Sequence, residues 1–141
     1  MATEQALLDL ITAHDQGVLA TIRRDGRPQL STVNYAFDET TRLLRVSITD
    51  GRAKTANLRR DPRAAMHVSS PDGWSYAVAD GAVELSAVAA APDDDAVTEL
   101  IELYRAIGGE HDDWDDYRRA MIDDGRLVLR LHVDHLYGQA R

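Results

Sequence analysis

Asp50-Gly51-Arg52-Ala53-Lys54-Thr55-Ala56-Asn57-Leu58-Arg59-Arg60-Asp61-Pro62 follows directly on an apolar run from Leu43 to Ile48. The stretch has room for two or three helical turns before Asp61-Pro62 stops it, because proline cannot continue a helix and restricts the residue ahead of it. Arg52 and Lys54 fall in the expected first turn. A helix N-terminus carries partial positive charge, so cations are disfavoured there unless an anion shares the site. Lys54 is also the only lysine among 16 Lys and Arg residues. On these residues alone two readings stay open, a solvated helix start and an anion grip.

The runs on either side of this helix read as strands. Upstream, Val18–Arg23 and Gln29–Phe37 flank Asp25-Gly26, a strong hairpin-turn signal, with Pro28 at a strand start where proline is tolerated. Leu43–Thr49 alternates, with Leu44, Val46 and Ile48 on one face and Arg45 and Ser47 on the other. Downstream, Ala64–Ser69 is a further strand. Trp74–Ala87 is expected to be one long bent strand, with a bulge at Asp80-Gly81. Leu127–His135 alternates cleanly and closes the set.

Helical spacing appears at three other places. Ala6–His14 carries Leu7, Leu10 and Ile11, with Thr3 as N-cap. Asp93-Asp94-Asp95 opens a helix to about Ile107, striped by Val97, Leu100, Ile101 and Tyr104. A second helix follows Gly108-Gly109 and ends near Gly125. The acidic triplet suits a helix start, since consecutive helical residues diverge too far to share a metal. His111 with its neighbouring aspartates resembles a metal cluster by composition, but Trp114, Tyr117 and Met121 have core spacing. No metal is expected. Six strands or so, joined mostly by hairpins, with one early helix and two helices before the last strand, predict a mainly β fold. The best fit is a small six-stranded antiparallel barrel with peripheral helices, in one domain over residues 1–141.

Composition narrows the function. With 24 acidic against 16 basic residues the formal charge is −8, which argues against a general nucleic-acid or membrane-surface binder. An anionic ligand would therefore need a local basic pocket, which returns attention to Arg52 and Lys54. No cysteine is present, so disulfides, thiolate metal sites and cysteine nucleophiles are excluded. No run approaches the roughly 18 apolar residues of a membrane span. The start of the chain lacks a signal-type pattern, and the expected compartment is the cytoplasm. No nucleophile elbow, Walker loop, dinucleotide fingerprint or zinc motif occurs. Any chemistry would belong to a cofactor, with the protein supplying binding and orientation.

The order of motifs resembles a known family. The Asp25-Gly26 turn, Pro28-Gln29-Leu30-Ser31-Thr32-Val33, and Arg52-Ala53-Lys54-Thr55-x-Asn57-Leu58-Arg59-Arg60-Asp61-Pro62-Arg63 carry it first. Asp72-Gly73-Trp74-Ser75-Tyr76-Ala77, Ala90-Ala91-Pro92-Asp93-Asp94, Gly109-Glu110-His111-x-Asp113-Trp114-Asp115-Asp116-Tyr117-Arg118 and His135-x-Tyr137-Gly138 extend it to nearly the whole chain. Together they resemble the split β-barrel flavin and deazaflavin oxidoreductases, more narrowly the F420-binding, pyridoxamine-phosphate-oxidase-like branch.

That resemblance implies a six-stranded split barrel that dimerises through its sheet, with two cofactor sites at the homodimer interface. The cofactor's phosphate would meet Arg52 and Lys54, with Asn57 and Ser47 near. The ring system would lie along Ser31, Thr32, Val33 and Asn34. Trp74, Ser75 and Tyr76 would come from the partner subunit. The implied activity is hydride transfer from reduced coenzyme F420 to a small organic acceptor. The alternatives are an FMN-dependent oxidoreductase of the same fold, or a carrier that binds F420 or a flavin without turnover. Tyr76, Tyr35 and His132 are the candidate proton donors. No catalytic residue is assigned.

Overall fold

The computed structural model describes residues 3–140. Helix α1 (Glu4–Ala13) leads into β1 (Gln16–Ile22), β2 (Pro28–Asn34), β3 (Ala36–Asp38) and β4 (Leu43–Thr49). Helix α2 (Ala53–Arg60), β5 (Arg63–Ser69) and β6 (Tyr76–Leu85) follow, then α3 (Asp95–Gly108), α4 (Trp114–Asp124) and β7 (Arg126–Gln139). The strands form one antiparallel sheet in the order β2-β1-β5-β6-β7-β4-β3. It curls around an apolar interior until β2 comes against β4.

The strand count is seven because the run Gln29–Phe37 serves two edges of the sheet. Tyr35 interrupts it. Its N–H donates to the Asp15 carbonyl (2.8 Å), its ring is 1% exposed, and its hydroxyl donates to the Ile11 carbonyl (2.6 Å). Before Tyr35 the chain pairs with β1; after it, Ala36–Asp38 pairs with Leu43–Arg45 of β4. A buried tyrosine with a satisfied hydroxyl thus turns the chain from one edge to the other.

Hydrophobic alternation explains the rest of the barrel. Leu19, Leu44, Val46, Ile48, Met66, Val68, Leu127, Leu129 and Leu131 fill the interior, and α1 plugs one end with Leu7 and Ile11. Thr3 caps α1 by accepting from the Ala6 N–H (3.1 Å). Helices α3 and α4 cover the outer face of β7 with Val97, Leu100, Ile101 and Tyr117 against Val128. Arg45 and Arg130 pair with Glu99 and fasten α3 to the sheet. Of the acidic triplet, Asp94 closes the loop by accepting from the Ala90 and Ala91 N–H groups (2.7 and 2.9 Å), and the helix starts at Asp95.

Strand β6 is continuous, with an irregularity at Asp80/Gly81. There Asp80 pairs with His135 but Gly81 pairs with Val133, so β7 carries one extra residue. The bulge changes the alternation of β7. Leu131 and Val133 point inward before it and Leu136 after it, while His135 and Tyr137 point out.

Helices α1 and α2 pack on the inner side of the sheet, and α3 and α4 cover β3, β4 and the first half of β7. The outer face of β2, β1, β5 and β6 is bare. It presents Leu30, Val18, Ala20, Ile22, Ala65 and Ala82. A groove of about 440 Å³ runs over this face beside Ala20, Ala65 and Ala82. No helix of the described residues is long and apolar enough to cross a membrane.

Tyr35 makes stability sensitive to alkali. Burial first, and the Asp15 charge second, raise its hydroxyl above its ordinary value of 10.0. The unfolded chain therefore loses this proton at lower pH than the folded one. The contribution is intact below pH 10 and is lost as pH rises above it. The urea midpoint should fall progressively above pH 10, and Tyr35→Phe should flatten that fall. An equally steep fall in the phenylalanine variant would remove Tyr35 as its source.

Candidate functional site

The sheet is open where β2 meets β4. Strand β2 pairs with β1 on one edge only. Strand β4 pairs along its length with β7, but on its other edge β3 reaches only Leu43–Arg45. Val46–Thr49 and the outer edge of β2 therefore keep backbone groups that no ladder uses. Backbone N–H and C=O groups on two such edges seek partners.

The four predicted residues of β2 sort by face. Ser31 and Val33 are half-buried on the inner side, and Thr32 and Asn34 are exposed on the outer side with Leu30. The Ser31 hydroxyl is fully buried and has no hydrogen-bond partner. A buried unanswered hydroxyl costs stability, and a ligand in the gap would relieve that cost.

Helix α2 starts at the end of β4. The Arg52 N–H and the Thr55 hydroxyl both donate to the Thr49 carbonyl (3.2 and 2.7 Å), and Leu58 anchors the helix in the core. Arg52 is the N-cap rather than a first-turn residue, in extended conformation and without a side-chain cap bond. Lys54 is the second helical residue. No acidic residue lies in the first turn. Arg59 pairs with Asp50 (2.7 Å), and Arg60 donates to the Ile22 carbonyl (2.5 Å). Among the described residues neither Arg52 nor Lys54 has an ion pair. The Lys54 ammonium is held below its ordinary pKa, first by burial and then by the charges of Arg52 and Arg126.

Asn57 has a different setting from the one expected. It is 7% exposed, its amide donates to the Thr21 hydroxyl (3.2 Å), and its carbonyl oxygen accepts from Arg60 (3.3 Å). In this arrangement it ties α2 to β1. Ser47 is half-buried on the outer face of β4, and its carbonyl accepts from the Arg126 guanidinium (3.4 Å). Arg126 was missed because the last strand reads from Leu127 by alternation. The strand in fact begins at Arg126, immediately after the left-handed Gly125 that ends α4.

Trp74, Ser75 and Tyr76 lie elsewhere. Trp74 is 60% exposed on a turn braced by Asp72, and the Ser75 backbone bonds to Ser70. Tyr76 stacks on His67 at 5.6 Å. Tyr76 pairs with Gln139, whereas Arg126 pairs with Thr49, so the two groups attach to opposite ends of β7. At about 3.3 Å per residue, a strand this long separates them by tens of ångströms. The structure brings Ser47, Arg52, Lys54 and Arg126 together, and places the aromatic run away from them.

Of the candidate proton donors, Tyr35 is buried, with its hydroxyl held on the Ile11 carbonyl. His132 is exposed beside Glu84 (3.3 Å), on the side away from the barrel interior. Among the described residues no group of three or more His, Cys, Asp or Glu side chains is arranged to hold a metal.

The chain matches the model of the pyridoxamine 5'-phosphate oxidase family over residues 3–140. Among solved structures it is similar to a conserved hypothetical protein from Mycobacterium tuberculosis, with TM-score 0.75 and 20% identity, over 98% of this chain and 84% of that one. It is also similar to an F420 reductase, with TM-score 0.69 and 24% identity, over 92% and 94%. A third similar structure is an FAD-binding protein from Mesorhizobium loti, with TM-score 0.67 and 18% identity, over 97% and 92%. At these identities the solved structures speak for the fold.

Proposed function

The chain belongs to the pyridoxamine 5'-phosphate oxidase family, with the split-barrel fold of flavin and deazaflavin oxidoreductases, and from that premise we propose that it is an F420-dependent reductase acting on a small organic acceptor. The observation that carries this reading is the pair Arg52 and Lys54. Among the described residues they have no ion pair, and they stand at the start of α2 in a protein of net charge −8. A phosphate there satisfies both cations and the first-turn N–H groups of the helix. An F420 reductase is among the similar structures, which supports the deazaflavin reading; FMN, whose phosphate would use the same residues, is the alternative, and an FAD-binding protein is similar to a comparable degree.

Each residue then has a physical task. Arg52 and Lys54 neutralise the phosphate. Ser47 borders it on β4. The Ser31 hydroxyl, buried without a partner, answers a polar edge of the ring, and Val33 gives an apolar wall. Bound along the gap, the deazaflavin supplies the hydride, so no protein nucleophile is required. The protein holds donor and acceptor in line and excludes water.

Two observations support a second subunit. The bare outer face carries an apolar strip of Leu30, Val18, Ala20, Ile22, Ala65 and Ala82 among polar residues that include Thr32, Arg63 and His67, and the aromatic run Trp74–Tyr76 lies at the wrong end of β7 to complete its own site. Two copies joined through that face would let each lend Trp74, Ser75 and Tyr76 to the other. Light scattering should give about twice the 15.6 kDa chain mass. Ala65→Arg on the bare face should give a folded monomer with weakened cofactor binding. A monomeric wild-type protein with full affinity would contradict a shared site.

Fluorescence titration with F420 and with FMN tests the cofactor. Micromolar binding of FMN with none of F420 would overturn the reading. If F420 binds, reduced F420 is then offered to nitroaromatic, quinone and enone acceptors. A failure to oxidise it with any acceptor favours the carrier reading.

A further inference from the structure

We propose that Arg126 is a third phosphate-binding cation and a determinant of specificity for phosphate-bearing ligands. The inference rests on the reading of the Arg52–Lys54 site above and adds a residue from a strand that begins 72 positions after Lys54 in the chain. Its position follows from the ladder. Arg126 is paired with Thr49, the residue whose carbonyl holds the Arg52 N–H and the Thr55 hydroxyl, and the Asp50 N–H donates to the Gly125 carbonyl (2.9 Å). The end of β4, the start of α2 and the start of β7 are thus stitched at one point. The Arg126 guanidinium reaches across β4 to the Ser47 carbonyl (3.4 Å).

The Ser47 carbonyl and an ion pair with Asp124 account for part of this side chain, but not for its Nε. Its Nε is fully buried and has no hydrogen-bond partner. The nearest carboxylate, Asp124, is 3.8 Å from Nε, beyond hydrogen-bond reach, and more than half exposed. Asp50, the other acid at this junction, is taken by Arg59. Arg126 therefore adds repulsion to a site that already holds Arg52 and Lys54, and leaves a buried donor unanswered. Both costs vanish when a phosphate oxygen accepts from it. A planar guanidinium also presents a fork that matches phosphate oxygens, whereas Lys54 contributes a point charge. The side chain is only about one-third exposed, so its charge is less screened than that of a surface arginine.

The test compares R126Q and R126K with wild type and with R119Q, a control on the exposed face of α4. Each is titrated with F420 and with the same deazaflavin alcohol lacking the phosphate. R126Q should weaken F420 by about 10- to 150-fold, the range for a hydrogen bond to a charged group, and move the phosphate-free ligand less than about twofold. R126K should recover part of the loss. The ligand-free R126Q protein should melt no lower than wild type, because repulsion is relieved. Equal losses for both ligands, an unchanged F420 affinity, or a lowered ligand-free melting temperature would each overturn the proposal. Should wild type bind no deazaflavin, the F420 reading fails by itself. The Arg126 assignment is then decided by inorganic phosphate, which should raise the wild-type melting temperature over chloride at equal ionic strength and fail to do so in R126Q. No phosphate-specific rise in wild type overturns it.

Discussion

Gly81→Ala is expected to destabilise the protein by about 3 kcal/mol or more, at the upper end of what overpacking costs. A Cβ on Gly81 would lie 2.0 Å from the His132 carbonyl oxygen and 2.8 Å from its carbonyl carbon. Both atoms are backbone in β7, so no rotamer change makes room. The contact lies at the bulge, where Gly81 skips Asp134 and pairs with Val133. Relief would require opening the ladder between the two central strands. The same substitution at Gly26, whose Cβ would meet nothing within 4 Å, carries only the strain of its positive φ and should cost less. Urea unfolding followed by circular dichroism measures both. A loss below about 1 kcal/mol at Gly81 would mean that β7 yields there, and that the bulge is not a fixed feature of the barrel.

That bulge also shows how far the sequence is legible. Alternation locates Leu127, Leu129, Leu131 and Val133, and the Gly in Asp80-Gly81 marks an irregularity. The change of phase to Leu136 stays hidden, because a bulge on one strand is defined by its partner's register. Tyr35 is a similar case. Its run reads as one strand, and only the position of Ile11 and Asp15 across the chain explains why Tyr35 turns inward and the strand splits. The succession of strands and helices along the chain, the long bent β6 and the helix after β4 follow from local pattern. The bare sheet face does not, since coverage by α3 and α4 is a tertiary fact.

The site divides along the same line. Arg52 and Lys54 are visible because their charge conflicts with the helix dipole, a conflict that needs only local sequence. Asn57 shares their stretch but points into the α2–β1 contact. Arg126 is distant in sequence and has no motif of its own. What reveals it is an unanswered N–H beside two other cations. Local conflict is readable from residues, whereas convergence of distant residues requires the fold.

Lys54→Ala should weaken F420 binding by about 1.5–3 kcal/mol, or about 10- to 150-fold, as expected for a hydrogen bond between charged groups. The pH dependence distinguishes a ligand-binding lysine from a surface one. Burial, Arg52 and Arg126 hold Lys54 below its ordinary pKa in the ligand-free fold. The unfolded chain therefore binds this proton more tightly. Between the lowered value and 10.5, ligand-free stability should gain from Lys54 as pH rises. A bound phosphate reverses the sign, because it favours the charged ammonium and raises its pKa. Affinity should then fall as pH rises through the ligand-free value, and this fall should be absent in Lys54→Ala. Calorimetric titrations at several alkaline pH values, in buffers of differing ionisation enthalpy, would record proton uptake on binding in wild type and its loss in the variant. Equal proton uptake in both would place the titrating group elsewhere. Unchanged affinity would remove Lys54 from the site and leave Arg52 and Arg126 as its cations.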